Sequence, residues 1–179
     1  MAKGMEYREV ISFSYMKAQA VRNGGTLKTL AAVSGVPYRT LVRVIGGEVL
    51  PDTGTVAAVC GVLQCSVSDV MEFKDLHVRD LFRAYEDRPY PEGRRCYTEA
   101  VYRRVSYEPL RHTFREAYRD KWKEKLAGML GGVRGLDGKE GVPARVRALI
   151  MQDESIPLRY IHDICIMLRC PPHCVMEYK

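Results

Sequence analysis

The stretch TLKTLAAVSGVPYRTLVRVI, residues 26–45, decides the fold of this chain. Apolar residues recur at helical spacing in two short segments of it, 27–33 and 37–45, and give each segment one apolar face. Thr26 suits the N-cap of the first helix, and Gly35, between the segments, can take the positive φ of a tight turn. Two short helices joined by a glycine turn are typical of a helix-turn-helix.

The second predicted helix carries polar side chains on its outer face. In a helix-turn-helix this helix enters the major groove of DNA. Arg39 is the side chain best suited to a bidentate contact with a guanine edge. The alternative is that the arginines of this helix are ordinary surface charges on a small domain that contacts protein. The predicted DNA contacts of the motif are Thr26, Lys28, Pro37, Tyr38, Arg39, Thr40 and Arg43.

Residues 11–73 resemble the Cro/C1-type helix-turn-helix domains of bacterial and phage regulators. The matching segments, in chain order, are ISFSYMKAQAVRNGG, TLKTLAAVSGV, PYRTLVRVIGG and LPDTGTVAAVCGVLQCSVSDVMEF. Ala31, Gly35 and Leu41 stand where the family has a small residue, a turn glycine and a core leucine. The resemblance implies a five-helix domain that binds DNA sequence-specifically. Many members also carry a DNA-contacting Gln after the cap of the second helix, but this chain has Leu27 there, so that contact is not implied.

A second copy of the same pattern is predicted in the C-terminal half. Residues 141–178 echo residues 35–73, and VSYEPL at 105–110 echoes ISFSYM at 11–16. The pairs at a constant spacing of 105 positions are Cys60 with Cys165, Leu63 with Leu168, Cys65 with Cys170, Met71 with Met176 and Glu72 with Glu177. Shared residues at buried helical positions indicate a diverged copy of the first domain.

We therefore predict an all-α protein of two tandem Cro/C1-like five-helix helix-turn-helix domains joined by a partly helical linker. The first domain covers 1–73, the linker 74–104 and the diverged second domain 105–179. The linker interleaves arginines with tyrosines, which either lie on a phosphate backbone or belong to a solvated connector. Because loops are usually polar for solvation alone, the connector is the favoured interpretation.

The second copy departs from the first in its helices and charges. Its first helix is predicted to be longer, because apolar residues recur every four positions from Leu110 to Leu126, and 128–141 has too many glycines for a firm helix. A stripe of basic residues, Arg111, Arg115, Arg119 and Lys123, runs parallel to these apolar positions. This basic stripe either contacts nucleic acid or forms ion pairs with carboxylates one helical turn away. We expect this copy to serve dimerisation, backbone contact or a protein partner. Its candidate secondary contacts are Arg111, Arg115, Arg119, Lys123, Arg145 and Arg147.

Composition is compatible with a folded protein that binds a polyanion. The chain has 179 residues, of which 46% are hydrophobic and 28% charged, enough to build a core in one or two small domains. Its formal charge of +6 favours nucleic acid only weakly, because many proteins with this surplus bind none. No apolar run reaches the ~18 residues of a membrane span, and residues 1–10 lack the apolar region of a signal peptide. We therefore expect a cytoplasmic protein.

The six cysteines are interpreted as small buried apolar side chains. Four of them fall in apolar helical patterns, and a reducing compartment disfavours disulfides. Residues 162–174 hold two His and three Cys, but two of these cysteines match core positions of the first copy, which disfavours a zinc site. The chain has no phosphate loop, nucleophile elbow or paired-carboxylate motif. We predict no metal, no cofactor and no enzymatic activity.

The predicted function is that of a sequence-specific DNA-binding transcriptional regulator, a repressor of the phage or mobile-element type. One domain contacts only a few base pairs, so useful affinity for double-stranded DNA requires a second reader. That reader is either the same domain of a homodimer partner or the second copy, as an intramolecular pseudo-dimer. The alternative functions are a protein- or ribonucleoprotein-binding inhibitor, such as an anti-CRISPR protein built on a helix-turn-helix, or an antitoxin-type autorepressor.

Overall fold

The computed structural model describes residues 6–74 and 105–178, and this part of the chain is mostly helical. The helices of the first range are α1 (Tyr7–Val10), α2 (Ser14–Arg22), α3 (Leu27–Ser34), α4 (Tyr38–Ile45) and α5 (Thr53–Leu63), followed by a 3-10 turn (Val67–Asp69). Two short antiparallel strands, β1 (Ile11–Ser12) and β2 (Glu72–Phe73), join its beginning to its end. Among the described residues no helix has both the length and the apolar character needed to cross a bilayer.

From its first strand onward, the second range repeats the order of elements that begins at β1, with one extra 3-10 turn. Its elements are β3 (Val105–Ser106), α6 (Glu108–Tyr118), a 3-10 turn (Arg119–Lys121), α7 (Trp122–Gly131), α8 (Ala144–Met151), α9 (Arg159–Leu168), a 3-10 turn (Pro172–Cys174) and β4 (Glu177–Tyr178). Val105 pairs with Tyr178 as Ile11 pairs with Phe73, so the strand registers of the two halves agree. The internal repeat seen in the sequence is therefore also a repeat of secondary structure.

Local signals place the two helices of the central motif. The Thr26 hydroxyl oxygen accepts a 3.2 Å hydrogen bond from the Thr29 N–H and caps α3. Gly35 ends α3 in the left-handed region with φ of 71°, and Pro37 is the N-cap of α4. The two helices and the glycine turn predicted for 26–45 are confirmed.

The sequence predicts a single helix from Tyr7 to about Val21, because Ile11, Tyr15, Ala18 and Arg22 recur along one side of it, and the structure differs. The backbone is helical in α1, extended in β1 and helical again in α2. Ile11 and Phe13 are both buried, which is the alternation of a strand, and Ile11 pairs with Phe73. Tyr15, placed on the buried side by the helical spacing, is exposed. The prediction was wrong here because pairing with a distant strand outweighs the local helical pattern.

The end of the first half differs for the same reason. The sequence predicts a short helix over 67–73 that Ser66 caps, with Asp69 at the capping-box position. In the structure Ser66 caps a 3-10 turn instead. The capping box predicted from Ser66 and Asp69 is confirmed, since the Asp69 carboxylate accepts a 2.7 Å hydrogen bond from the Ser66 N–H. The chain then extends as β2, which supplies the partner of β1.

The long first helix predicted for the second half is also wrong. The chain turns at Arg119, whose φ is 45°, and α6 and α7 pack against each other as separate helices. A straight helix from Leu110 to Leu126 would be roughly 24 Å long and could not return both side chains to one core. Both leucines are buried in the folded chain. Helix α7 thus takes the place of the second helix. It includes 128–131 of the glycine-rich segment in which no firm helix is predicted, and 132–141 form the loop that follows it.

The two halves pack together around one hydrophobic core. The Thr53 N–H donates a 2.9 Å hydrogen bond to the Ile156 carbonyl, and the Ile156 N–H donates one of 2.9 Å to the Thr53 hydroxyl oxygen. That hydroxyl also shares a 2.8 Å hydrogen bond with the Tyr107 phenol. Thr53 is fully buried, so these bonds satisfy polar groups that have lost contact with water. The linker helix and the basic-aromatic segment predicted between the halves lie in 75–104, outside the described residues.

Candidate nucleic-acid interface

Helix α4 presents one face to solvent and the other to the core. Leu41 and Val44 are buried and anchor the helix. Tyr38 is 46% exposed and Val42 is 42% exposed, although both are large side chains that usually favour burial. We call the four exposed side chains on the outer side of α4 the recognition face. They are Tyr38, Arg39, Val42 and Arg43.

The two arginines of the recognition face are available to a ligand. Within residues 6–74 and 105–178, Arg39 makes neither a hydrogen bond nor an ion pair. The Nε of Arg43 lies 3.2 Å from a carboxylate oxygen of Glu48, and both side chains are at least half exposed. Exposed ion pairs of this kind contribute about 0–1 kcal/mol, so a phosphate can replace Glu48 at little cost.

The other residues predicted to contact DNA surround this face with different roles. Lys28 is exposed in the first turn of α3. Thr26 and Pro37 are exposed, but they occupy the N-caps of α3 and α4 and so have structural roles as well. Thr40 is only partly exposed. Six of the seven predicted first-copy residues thus lie at the amino end of α3 or of α4, whereas Arg43 lies in the last turn of α4.

Arg111 does not belong to the surface stripe predicted for the second half. It is 8% exposed, and its guanidinium donates to a Glu108 oxygen at 3.2 Å and to the Ile150 carbonyl at 3.0 Å. Its two terminal nitrogens also lie 2.8 and 3.0 Å from the two carboxylate oxygens of Asp153. This fork uses the donors that a phosphate would need. Arg111 is consequently a structural residue, and Asp153, expected to repel phosphate, is its counterion.

The remaining members of the stripe lie on different elements, with Arg115 on α6, Arg119 in the 3-10 turn and Lys123 on α7. Arg115 pairs with Glu108 and lies 5.4 Å from the centre of the Trp122 ring. Burial would raise the pKa of Glu108, but hydrogen bonds from Arg115 and Arg111 outweigh it and lower that pKa. Lys123 lies 5.7 Å from the same ring, whereas Arg119 is exposed in the turn between α6 and α7. These contacts favour intramolecular pairing over a continuous basic surface.

Helix α8 offers fewer free groups than α4. Arg145 is exposed, but Arg147 donates a 3.1 Å hydrogen bond to the Ala127 carbonyl and so ties α8 to α7. Ala144 and Leu149 add no polar group to its outer side. Of the two arginines that the sequence predicts as contacts on α8, only Arg145 is exposed, as a contact residue must be.

A polar cluster between the halves was missed by sequence reasoning. The Tyr7 phenol donates a 2.7 Å hydrogen bond to Asp163, and the ring of His162 packs edge-on against Tyr7 and Phe73. His162 is buried, and its Nε2 has no hydrogen-bond partner among the described atoms. Residues this far apart carry no shared local pattern, so the sequence alone did not indicate that they meet.

The thiols near the C-terminus are poorly suited to chemistry. A hydrogen bond with Cys165 is the main factor that raises the pKa of Cys170 to about 12, and one with Cys170 raises that of Cys174 to about 12. Protonated thiols are weak nucleophiles and weak metal ligands. Within the described ranges no group of three or more His, Cys, Asp or Glu side chains converges as a metal site.

Comparisons of the chain with known protein families, with curated proteins and with solved structures find no match. The function is therefore inferred from the geometry of α3 and α4 and from the motif in residues 26–45. The open recognition face is the feature of the described residues that best fits a macromolecular ligand, because it combines free positive charge with exposed large side chains.

Proposed function

We propose that this protein is a sequence-specific DNA-binding transcriptional regulator, and that the recognition face of α4 reads the major groove. The observation that carries the proposal is the surroundings of Arg39, which is exposed on a helix anchored by buried Leu41 and Val44 and has no intramolecular partner among the described residues. A guanidinium in this position can donate two parallel hydrogen bonds to a guanine edge.

The neighbouring residues supply the contacts that position the helix. Arg43 can exchange its exposed Glu48 partner for a phosphate, and Lys28, exposed in the first turn of α3, can also bind a phosphate. The capped amino end of α3 directs its free N–H groups and positive dipole outward, which also favours phosphate. Tyr38 and Thr40 suit a thymine methyl group or a phosphate.

A protein bound in this way represses by covering a promoter. The proposal includes action in the cytoplasm as a repressor of the phage or mobile-element kind, without catalysis and without a cofactor. One helix contacts only a few base pairs, and operator recognition normally requires two readers.

The test is selection of bound duplexes from a random pool, repeated with Arg39→Ala. The parent protein is expected to enrich one sequence, and the variant to lose its preference at one or two positions, because a bidentate contact discriminates by about 1–3 kcal/mol. Arg134→Ala, which removes an exposed arginine outside the recognition face, is the matched control. An unchanged preference in Arg39→Ala excludes Arg39 from base reading, and absence of any enriched duplex overturns the proposal.

A second candidate function is supported by the apolar part of the same face. Tyr38 and Val42 are one turn apart and both largely exposed, as in helices that dock on protein. A protein- or ribonucleoprotein-binding inhibitor or an antitoxin would use them as anchors. Val42→Ser separates the two functions: it weakens a protein complex with little salt dependence, whereas duplex binding through Arg39 and Arg43 falls steeply from ~50 to ~200 mM salt.

A further inference from the structure

The two halves of the chain touch at equivalent positions. The Ser68 hydroxyl lies 3.0 Å from Nδ1 of His173, and these residues are 105 positions apart in sequence. The 3-10 turns that hold them are also offset by 105 positions, so each residue contacts its own counterpart in the repeat. The antiparallel bridge between Asp52 and Pro157 joins a second pair with the same spacing.

Contacts of this kind define a two-fold relation. A residue can meet its own counterpart only close to the axis that relates two copies, as in the isologous interface of a symmetric dimer. Two such contacts fix the direction of the axis. The strands of the two halves also pair in the same register, Ile11 with Phe73 and Val105 with Tyr178. The two halves therefore share local structure as well as equivalent contacts. The chain thus has the internal arrangement of a two-fold dimer.

Helices α4 and α8 are counterparts in this arrangement. Each has eight residues, and each follows a proline N-cap with φ of −54°, Pro37 or Pro143. A glycine with positive φ precedes each proline by two positions. When the helices are matched at these caps, position 39 corresponds to 145 and both hold an exposed arginine. An approximate two-fold therefore relates Arg39 to Arg145.

The faces of the two helices are nevertheless unequal. At the matched positions Tyr38 becomes Ala144 and Arg43 becomes Leu149, so α8 keeps one exposed arginine and loses the aromatic and the second charge. Arg147 replaces the buried Leu41 and is committed to a carbonyl of α7. One helix is equipped to read several bases, and its counterpart to make a single polar contact.

We infer that one chain alone occupies an asymmetric duplex site with two unequal half-sites, a strong one read by α4 and a weak one contacted through Arg145. This inference rests on the proposed function. A second copy cannot form the same dyad contacts, because Ser68 and Asp52 already make them with His173 and Pro157 of the same chain. The second reader that affinity requires is thus part of the same chain.

The experiment is native mass spectrometry of the full chain with its selected duplex, combined with base-by-base competition for two variants. One chain per duplex is expected at saturation. Arg39→Ala should relax the base preference in one half of the site. Arg145→Ala should weaken the base preference in the other half by roughly tenfold or less. Both arginines are exposed, so each variant is expected to fold, which circular dichroism checks, and Arg134→Ala again serves as the control.

The outcomes separate the two proposals. Two chains per duplex overturn the single-chain inference but leave DNA binding intact. Loss of preference in the same half for both variants, or no effect of Arg145→Ala at any position, also overturns it. If no duplex is enriched from the random pool, the proposed function and this inference both fail.

Discussion

The phenol of Tyr7 donates a 2.7 Å hydrogen bond to Asp163, which lies 156 positions further along the chain. The phenol oxygen also accepts a 3.0 Å hydrogen bond from the Leu136 N–H. Burial, and next the bond to Asp163, raise the pKa of Tyr7 above its ordinary value. One hydroxyl group therefore attaches the short helix α1 both to α9 and to the loop after α7.

Removing that hydroxyl should destabilise the protein. Tyr7→Phe leaves the buried Asp163 and the Leu136 N–H without their partner, for an expected loss of about 1–3 kcal/mol in the free energy of unfolding. Urea denaturation measures the loss. Tyr15→Phe, at an exposed tyrosine, is the control and should change the value by less than about 0.5 kcal/mol. Equal stabilities of the two variants would show that the junction does not depend on the bond.

Alkaline pH should weaken the same junction. Burial is the main factor that raises the pKa of both Tyr7 and Tyr107, so the folded state holds these phenols protonated. Their stabilising contribution is complete below the ordinary tyrosine pKa of about 10 and is lost as the pH rises from there towards the folded values. Free energies of unfolding measured against pH should fall above about pH 10, and less steeply for Tyr7→Phe than for the parent. A fall of equal slope in both proteins would contradict the assignment to Tyr7.

Arg111 should matter for stability and not for DNA contact. Arg111→Met breaks a largely buried ion pair and removes the two guanidinium nitrogens that contact Asp153. The expected loss in the free energy of unfolding is about 3 kcal/mol, the lower end for such pairs, because Asp153 is partly exposed. Arg111→Lys should also destabilise, since an ammonium cannot reproduce the bidentate geometry. Thermal and urea unfolding measure both changes. Arg119→Ala, at an exposed arginine, is the control, and wild-type stability of Arg111→Met would contradict the structural role.

Two equivalent glycines should respond differently to the same substitution. Gly35 and Gly141 precede the prolines that cap α4 and α8, with φ of 71° and 81°. At Gly35 an added methyl group meets nothing within 4 Å, so Gly35→Ala should cost only the left-handed backbone, about 1–2 kcal/mol. At Gly141 it would lie 2.9 Å from the Gly131 carbonyl oxygen, which adds about 1–3 kcal/mol of overpacking. Equal losses in urea denaturation would contradict the close approach of Gly141 to the carboxyl end of α7.

Local features of the helix-turn-helix were predictable because each depends on neighbouring residues. The Thr26 cap, the positive φ of Gly35 and the buried position of Leu41 follow from rules that operate within one or two turns of helix. The exposure of Arg39 follows in the same way, since the opposite side of an amphipathic helix faces solvent. Its reading of DNA stays a prediction.

Errors arose where a distant segment competes with a local pattern. Ile11 fits a helix by spacing but pairs with Phe73, and a helical run from Leu110 is broken at Arg119 so that both of its apolar ends reach the core. Arg111 fits a surface stripe, yet Asp153 lies within reach only after α6 and α8 have packed. No window of local sequence contains these partners.

The sequence by itself determined the two helices of residues 26–45, the Thr26 cap and the Ser66 capping box, because hydrophobic periodicity and capping are short-range. It also showed the internal repeat. Only the tertiary structure decided how the halves meet, with Ser68 against His173 and Thr53 against Tyr107. It also decided which arginines remain free, since burial and ion pairing depend on surfaces that come together after the helices have formed. The reason is physical: short-range forces choose the elements, and burial of apolar area across the whole chain chooses their arrangement.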